Sequence, residues 1–235
     1  YQIMVMTRLQ ITFGCAFNIW RSAITAVRYA SCRRQFATMK GTKLERKLID
    51  YQTHQDILGS NLAMSIAIQL VSRSIEALSQ QSQKEVAEGS FKSLDILHHF
   101  TSGMKAFATD ACYQGLDQMR QACGGAGFTL ASGVADWWQD VAPFPTSEGV
   151  NVIMMQQSSR LLRKQLDKLA RGKKVHPFFD YMRDIETAGA ERSVATSSAE
   201  FLAHSHILKT LAVRSLTYMK TVFELLAASE ASKKE

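Results

Sequence analysis

Proline is scarce in this chain: Pro143, Pro145 and Pro177 are the only three in 235 residues. Inside a helix a proline removes a hydrogen bond and clashes with the preceding turn, so long proline-free stretches favour long helices. Paired cysteines are lacking too. Cys15, Cys32, Cys112 and Cys123 form no C-x-x-C pair and each falls in an apolar, helix-like setting. That pattern speaks against disulfides or a zinc site, and buried free thiols of a reducing compartment are expected. The histidines offer no metal-ligand spacing. His98 and His99 are adjacent and splay apart, His204 and His206 do not share a helix face, and His54 and His176 stand alone. No metal site is expected, and these histidines are read as structural or surface groups. No apolar run approaches the length of a membrane span, and a mean hydropathy of -0.11 fits a soluble globular protein. Alternating strand patterns, internal repeats, low-complexity tracts and a secretory signal are likewise missing. The first residue is Tyr1 rather than Met, so the natural start is expected to lie elsewhere or to have been removed.

What is present is a large apolar fraction, 46%, enough for a sizeable core, and a net charge of +7. Cations cluster at Arg33–Arg34, from Arg160 to Lys164 and from Arg171 to Lys174. They suit an anionic partner such as a nucleotide cofactor, coenzyme A or an acidic protein surface, or they are solvated helix faces. No aromatic-basic interleaving supports nucleic-acid binding, so none is expected.

Small and apolar residues at Ile11, Cys15, Ile19, Ala23, Ala26 and Ala30 mark one face of a helix over residues 1 to about 36. Residues 37 to 46 read as a loop. A second helix is predicted over about 47 to 80, with Leu48, Tyr51, Leu58, Leu62, Ile66 and Leu70 inward. A polar connector follows at 79 to 90. The third helix, about 91 to 122, would turn Leu97, Phe100, Met104, Phe107 and Ala111 inward. "CGGAGF" breaks the pattern at 123–128, a short helix is expected at 134–141, and a fourth long helix from near Glu148 to about Lys168. "RGKKVHPFFDY" reads as an exposed basic connector, and residues 194 to 229 as a last helix. The expected fold class is therefore all-α, an antiparallel bundle of long helices over residues 1–170. Residues 171–235 form a connector and the beginning of a second helical region.

Three stretches could carry chemistry. Glu148 follows two prolines where the fourth helix is expected to begin. With Thr146 or Ser147 as N-cap it fits a first helical turn, where the dipole favours an acid. Beside Phe144 in an apolar cleft it could instead serve as a base. "QACGGAGF", Gln121 to Phe128, is either a helix stop with a tight turn or a place where backbone approaches a ligand closely. "YASCRRQF", Tyr29 to Phe36, puts two arginines and an amide at a helix end, where they complement the dipole or grip a pyrophosphate. Trp137 and Trp138 are expected to anchor the short helix in the core or to wall an acyl pocket.

The order of these blocks is more specific than any one of them. "YQIMVMTR", "AVRYASCRRQF", "LIDYQTHQ", "TSGMKAFATDACYQGLDQMRQACGGAGF" and "SGVADWWQDVAPFPTSEGVNVIMMQQSSRLL" resemble, in sequence, the C-terminal half of the acyl-CoA oxidases, relatives of the acyl-CoA dehydrogenases. The similarity is close over roughly residues 1 to 165. The resemblance implies a dehydrogenase-like C-terminal helical bundle and a flavoenzyme that desaturates fatty acyl-CoA. A carboxylate takes the α-proton, a hydride leaves the β-carbon for the flavin, and oxygen reoxidises the flavin to give hydrogen peroxide. Glu148 matches the acid of the family's E-G-x-N motif and Asn151 its asparagine, which would help hold the loop. Arg33, Gln35 and Phe36 match the R-x-Q-F motif and would contact the FAD of a neighbouring subunit. Gln121, Gly124, Gly125 and Gly127 match the glycine motif and would line the same nucleotide. A homodimer, or a place in a larger assembly, follows, with the peroxisome as the usual address and the mitochondrion as the alternative.

Ala126, Phe128, Val150 and Val152 stand where the family pattern tends to be polar. The family's N-terminal helical domain and β-barrel have no counterpart in these residues, so only part of a binding site is expected. A catalytically inactive, oxidase-like structural subunit of a larger assembly is the alternative function. A dehydrogenase passing electrons to a flavoprotein ranks behind both.

Overall fold

The computed structural model describes residues 2–38, 40–188, 195 and 197–232. The chain divides into two compact units, Tyr1–Ser159 and Arg160–Glu235.

In the first unit three long helices form the body: α1 (Gln2–Cys32), α2 (Gln52–Ala87) and α3 (Leu94–Ala122). The buried face of α1 includes Cys15, Ile19, Ala23, Ala26 and Ala30, as its spacing predicts. One core cluster joins Cys15 and Ile19 to Ile68 and to Ala108–Leu116; the next joins Ala23–Ala30 to Leu58 and to Met119 and Cys123. Moving up α1 therefore means moving down α2 and up α3, so consecutive helices run antiparallel.

The inner face of α2 is not the one expected. Ile66 and Leu70 are more than half exposed, and besides Leu78 the buried residues are Leu58, Asn61, Ser65, Ile68, Ser72, Ile75, Ser79 and Ser82. Their spacing alternates three and four throughout, the seam of a packed helix pair. Ser65 and Ser72 on this seam donate back to their own helix, to Leu62 O at 2.8 Å and Ile68 O at 2.7 Å, and Ser79 Oγ donates across to Met6 Sδ on α1 at 2.8 Å, so these small side chains bury with their donors satisfied. On α3, Leu97 is buried as expected but Phe107 is 45% exposed, and Thr101, Ser102, Lys105 and Thr109 are buried instead. By length and composition α2 could cross a membrane, with a window of mean hydropathy 1.2, contrary to the expectation that no stretch approaches a span. It packs along its seam on α1 and α3, with 28% of that window buried.

Several boundaries shift. α1 ends at Cys32, and the expected loop holds a small antiparallel hairpin, β1 (Arg34–Thr38) with β2 (Glu45–Lys47). α2 continues through most of the expected polar connector to Ala87 because Ser79 and Ser82 extend its seam. After α3 come a single turn, α4 (Gly125–Phe128), then α5 (Val134–Val141) at the predicted position and α6 (Asn151–Ala170). Trp137 and Trp138 pack on the core, with Trp138 stacked on Tyr113 at 5.5 Å. Cys15, Cys112 and Cys123 are buried, but Cys32 is exposed at the end of α1, against expectation.

The second unit contains the later part of α6, a three-ten segment at Pro177–Asp184, α7 (Ile185–Ala188), α8 (Ser198–Phe201) and α9 (His204–Ser232). Ile185 and Leu216 form its small core with Leu166 and Met219. The connector expected to be exposed is partly buried: Pro177 starts a tight turn capped by the His176 ring, and Phe179 and Met182 are buried. The expected start of the last helix, at 194, lies outside the described residues.

Candidate functional site

Two places gather the residues singled out by motif. The first is a cleft of about 580 Å³ between the end of α1, the start of α2 and the α3–α4 turn. Arg33 and Gln35 reach it from one side, Gln121, Gly124 and Gly125 from the other, although more than 80 residues separate them in sequence. The hairpin sets the first side: Leu48 N–H donates to Arg33 O at 2.9 Å and Tyr51 Oη to Gln35 O at 2.9 Å. On the other side Gln121 Nε2 donates to Asp117 Oδ2 at 2.7 Å, which orients its amide.

Phe36 and Gly127 do not line this cleft. Phe36 is 72% exposed with φ of 70°, at the irregularity in the hairpin. Gly127 is buried behind the turn, where any Cβ would strike the Arg120 carbonyl oxygen; only glycine fits there.

His54, which sequence reasoning set aside, lines the same cleft. Its Nε2 is buried with no hydrogen-bond partner among the described residues, and burial holds its pKa below the ordinary imidazole value. The signal lay in its position, one helical turn before the buried Leu58. No carboxylate lines the cleft among the described residues. An arginine, three glutamines and an orphaned ring nitrogen form a donor-rich wall suited to a phosphate-bearing heterocycle.

The second place is the turn between α5 and α6. Glu148 is not in the first turn of α6, which starts at Asn151; it sits in the preceding turn with φ of 55°. Nor do Thr146 and Ser147 cap α6, since both hydroxyls donate back to Pro143 O at 2.9 Å. The two prolines rigidify a turn of their own and delay the helix by three residues. Gly149 follows at φ of 110°, where a Cβ would lie 2.5 Å from Met154 Cε.

A buried lysine holds this turn. Lys105 is fully buried on α3, and its Nζ donates to Pro145 O at 3.1 Å, Gly149 O at 2.8 Å and Asn151 Oδ1 at 3.0 Å. Desolvation, then the charge of Arg8, lowers its pKa. Asn151 Nδ2 in turn donates to Ala106 O at 3.1 Å and Thr109 Oγ1 at 3.0 Å. Arg8, also buried, donates from Nε to Glu148 O at 3.1 Å and lies near His98 Nδ1 and Ser102 Oγ. These bonds fix the Glu148 backbone while its side chain stays half-exposed, and no described group hydrogen-bonds its carboxylate. Sequence reasoning missed Arg8 and Lys105. Each interrupts a stripe of small or apolar positions with a charge, and that was the signal available.

A bundle of long helices with a donor-rich cleft and a pinned acidic turn defines an all-α domain. Comparison narrows it. Residues 1–163 match the family described as acyl-CoA oxidase, C-alpha1 domain. The peroxisomal acyl-coenzyme A oxidase 1 of Mus musculus is 32% identical over 185 residues, covering 79% of this chain and 28% of that protein. The Homo sapiens protein of the same name is 31% identical over the same length. Among solved structures, Arabidopsis thaliana acyl-CoA oxidase 1 superposes with a TM-score of 0.88 at 29% identity, over 94% of this chain and 33% of that one. Caenorhabditis elegans acyl-CoA oxidase-2, bound with FAD, ascaroside-CoA and ATP, gives 0.82 at 27% identity, over 97% and 34%. The chain belongs to the acyl-CoA oxidase family, and it spans about a third or less of the length of these relatives.

Proposed function

We propose that this chain is the α-helical C-terminal part of an FAD-dependent acyl-CoA oxidase. It would act on fatty acyl-CoA, giving trans-2-enoyl-CoA and hydrogen peroxide in fatty-acid β-oxidation. The observation that carries the reading is the cleft that joins Arg33 and Gln35 to Gln121, Gly124 and Gly125 around the orphaned His54 Nε2. Those residues fit FAD: Arg33 and the amides supply donors to phosphate and ring heteroatoms, and the turn backbone at Gly124–Gly125 allows close approach. When bound, the flavin would supply the hydride acceptor and the route to oxygen. Phe36 would contact it only from the exposed face of the hairpin, and Gly127 would act by letting the turn close.

Glu148 is the proposed base, taking the α-proton of the thioester. The backbone that carries it is held by Arg8 on the Glu148 carbonyl and by Lys105 on Gly149 O and Asn151 Oδ1. Residues 1–170 are the proposed catalytic bundle domain and 171–235 the beginning of a second helical region. A homodimer sharing the flavin between subunits is the proposed assembly, and the names of the curated relatives favour the peroxisome.

A second reading, an inactive scaffold subunit of a larger assembly, is favoured by the exposure of Phe128, Val150 and Val152. The absorbance of the purified native protein separates the two. Bound flavin with acyl-CoA-dependent peroxide release supports the oxidase; a flavin-free particle tightly bound to other proteins leaves the scaffold.

A further inference from the structure

The positive charge of this chain is concentrated in one short segment. Residues 160–174 hold seven cations against one carboxylate, Asp167, a local charge of +6 where the whole chain carries +7. Arg163 and Lys164 lie three and four residues after Arg160, and Lys168 four after Lys164, on one face of α6 with Asp167, and Arg171 follows directly after the last residue of the helix. Beyond Ala170 the chain reverses: Gly172 N–H donates to Leu169 O at 2.9 Å and Lys173 N–H to Lys168 O at 2.8 Å. This helix-terminating turn brings Lys173 back, and the seven side chains line one cleft of about 410 Å³.

The helix dipole accounts for part of this. Lys168 and Arg171 lie at the C-terminal end of α6, where cations are favoured. Arg160, Arg163 and Lys164 lie further upstream, where that effect has faded, and Arg160–Arg163, Arg160–Lys164 and Lys164–Lys168 are like-charge neighbours that repel. Arg163 and Lys164 already interact with neighbours. The cleft still holds six cations against the single charge of Asp167.

We propose that this cleft binds a small polyphosphate with three or more linked phosphates. Three guanidinium forks match phosphate oxygens bidentately, and three ammonium groups add point charge around them. One orthophosphate would leave most of that charge unneutralised, and a concave cleft suits a compact chain of phosphates better than a flat membrane surface. The site shares no lining residue with the cleft of Arg33 and Gln121, and it does not depend on the oxidase reading.

Calorimetric titration of the full chain with inorganic tripolyphosphate at fixed ionic strength tests it. Expected is saturable binding at least tenfold tighter than orthophosphate, weakening as salt rises. Replacing both Arg163→Gln and Lys164→Gln should weaken it tenfold or more, Asp167→Asn should tighten it severalfold, and Lys84→Gln on α2 should leave it unchanged, with the same helical circular dichroism in all. The proposal is overturned if orthophosphate binds as tightly, if the double variant binds like the parent, or if only phosphatidylserine vesicles are bound.

Discussion

Glu148 adopts a left-handed backbone angle that costs a non-glycine residue about 1–3 kcal/mol, a strain the surrounding bonds must offset. Arg8 bonds the Glu148 carbonyl itself, and Lys105 ties the residues on either side of it. Lys105→Met keeps the length but removes three hydrogen bonds; Pro145 O keeps the Asn151 N–H and Asn151 Oδ1 keeps Thr109 Oγ1, while Gly149 O loses its donor, so stability should fall by about 1–3 kcal/mol, read as a lower urea midpoint with little change in slope. A loss below about 1 kcal/mol would mean the turn is held by something else. Glu148 is singled out in the sequence by its motif with Asn151. Its geometry is not legible there, because nothing in a sequence reports φ, and a lysine reads as a surface residue unless its helix face is known. Histidines give a pH prediction. His54, His98 and His99 are all held below the ordinary value of 6.5 by burial first, with Arg8 adding to the effect at His98. The unfolded chain therefore binds more protons, and stability must fall as pH drops below about 6.5 while staying level above it. Melting temperatures from pH 8 to 5 check this, and His99→Gln should flatten the acid side of the curve.

At the scale of the element, spacing was legible and face was not always so. α1 shows its inner residues openly because they are alanine, cysteine and isoleucine. The seam of α2 has the same regularity but alternates apolar residues with Asn61, Ser65, Ser72 and Ser79, so hydrophobicity pointed to Ile66 and Leu70 instead. Serines allow close helix approach and satisfy their own hydroxyls, which hides a packed face from any reading based on polarity. Ser72 has no exposed surface, so Ser72→Leu should overpack the seam and cost about 1–3 kcal/mol by chemical denaturation. A neutral result would place the seam elsewhere. The hairpin of β1 and β2 escaped notice for another reason: it is short, irregular and lacks alternation.

For the whole molecule, the all-α architecture was readable from proline scarcity and helical spacing, and the family from five ordered motifs. The cleft was readable only in part, since motif order names Arg33, Gln35, Gln121, Gly124 and Gly125 but not His54, whose place depends on how α2 starts. The account's central claim is that a carboxylate on the α5–α6 turn removes a proton from an acyl thioester beside a flavin bound by the α1–α3 cleft. Glu148→Gln in the purified native protein tests it most directly, by following flavin absorbance after adding fatty acyl-CoA. The account predicts full flavin content with bleaching slowed by at least about a hundredfold. Bleaching at the parent rate would contradict it.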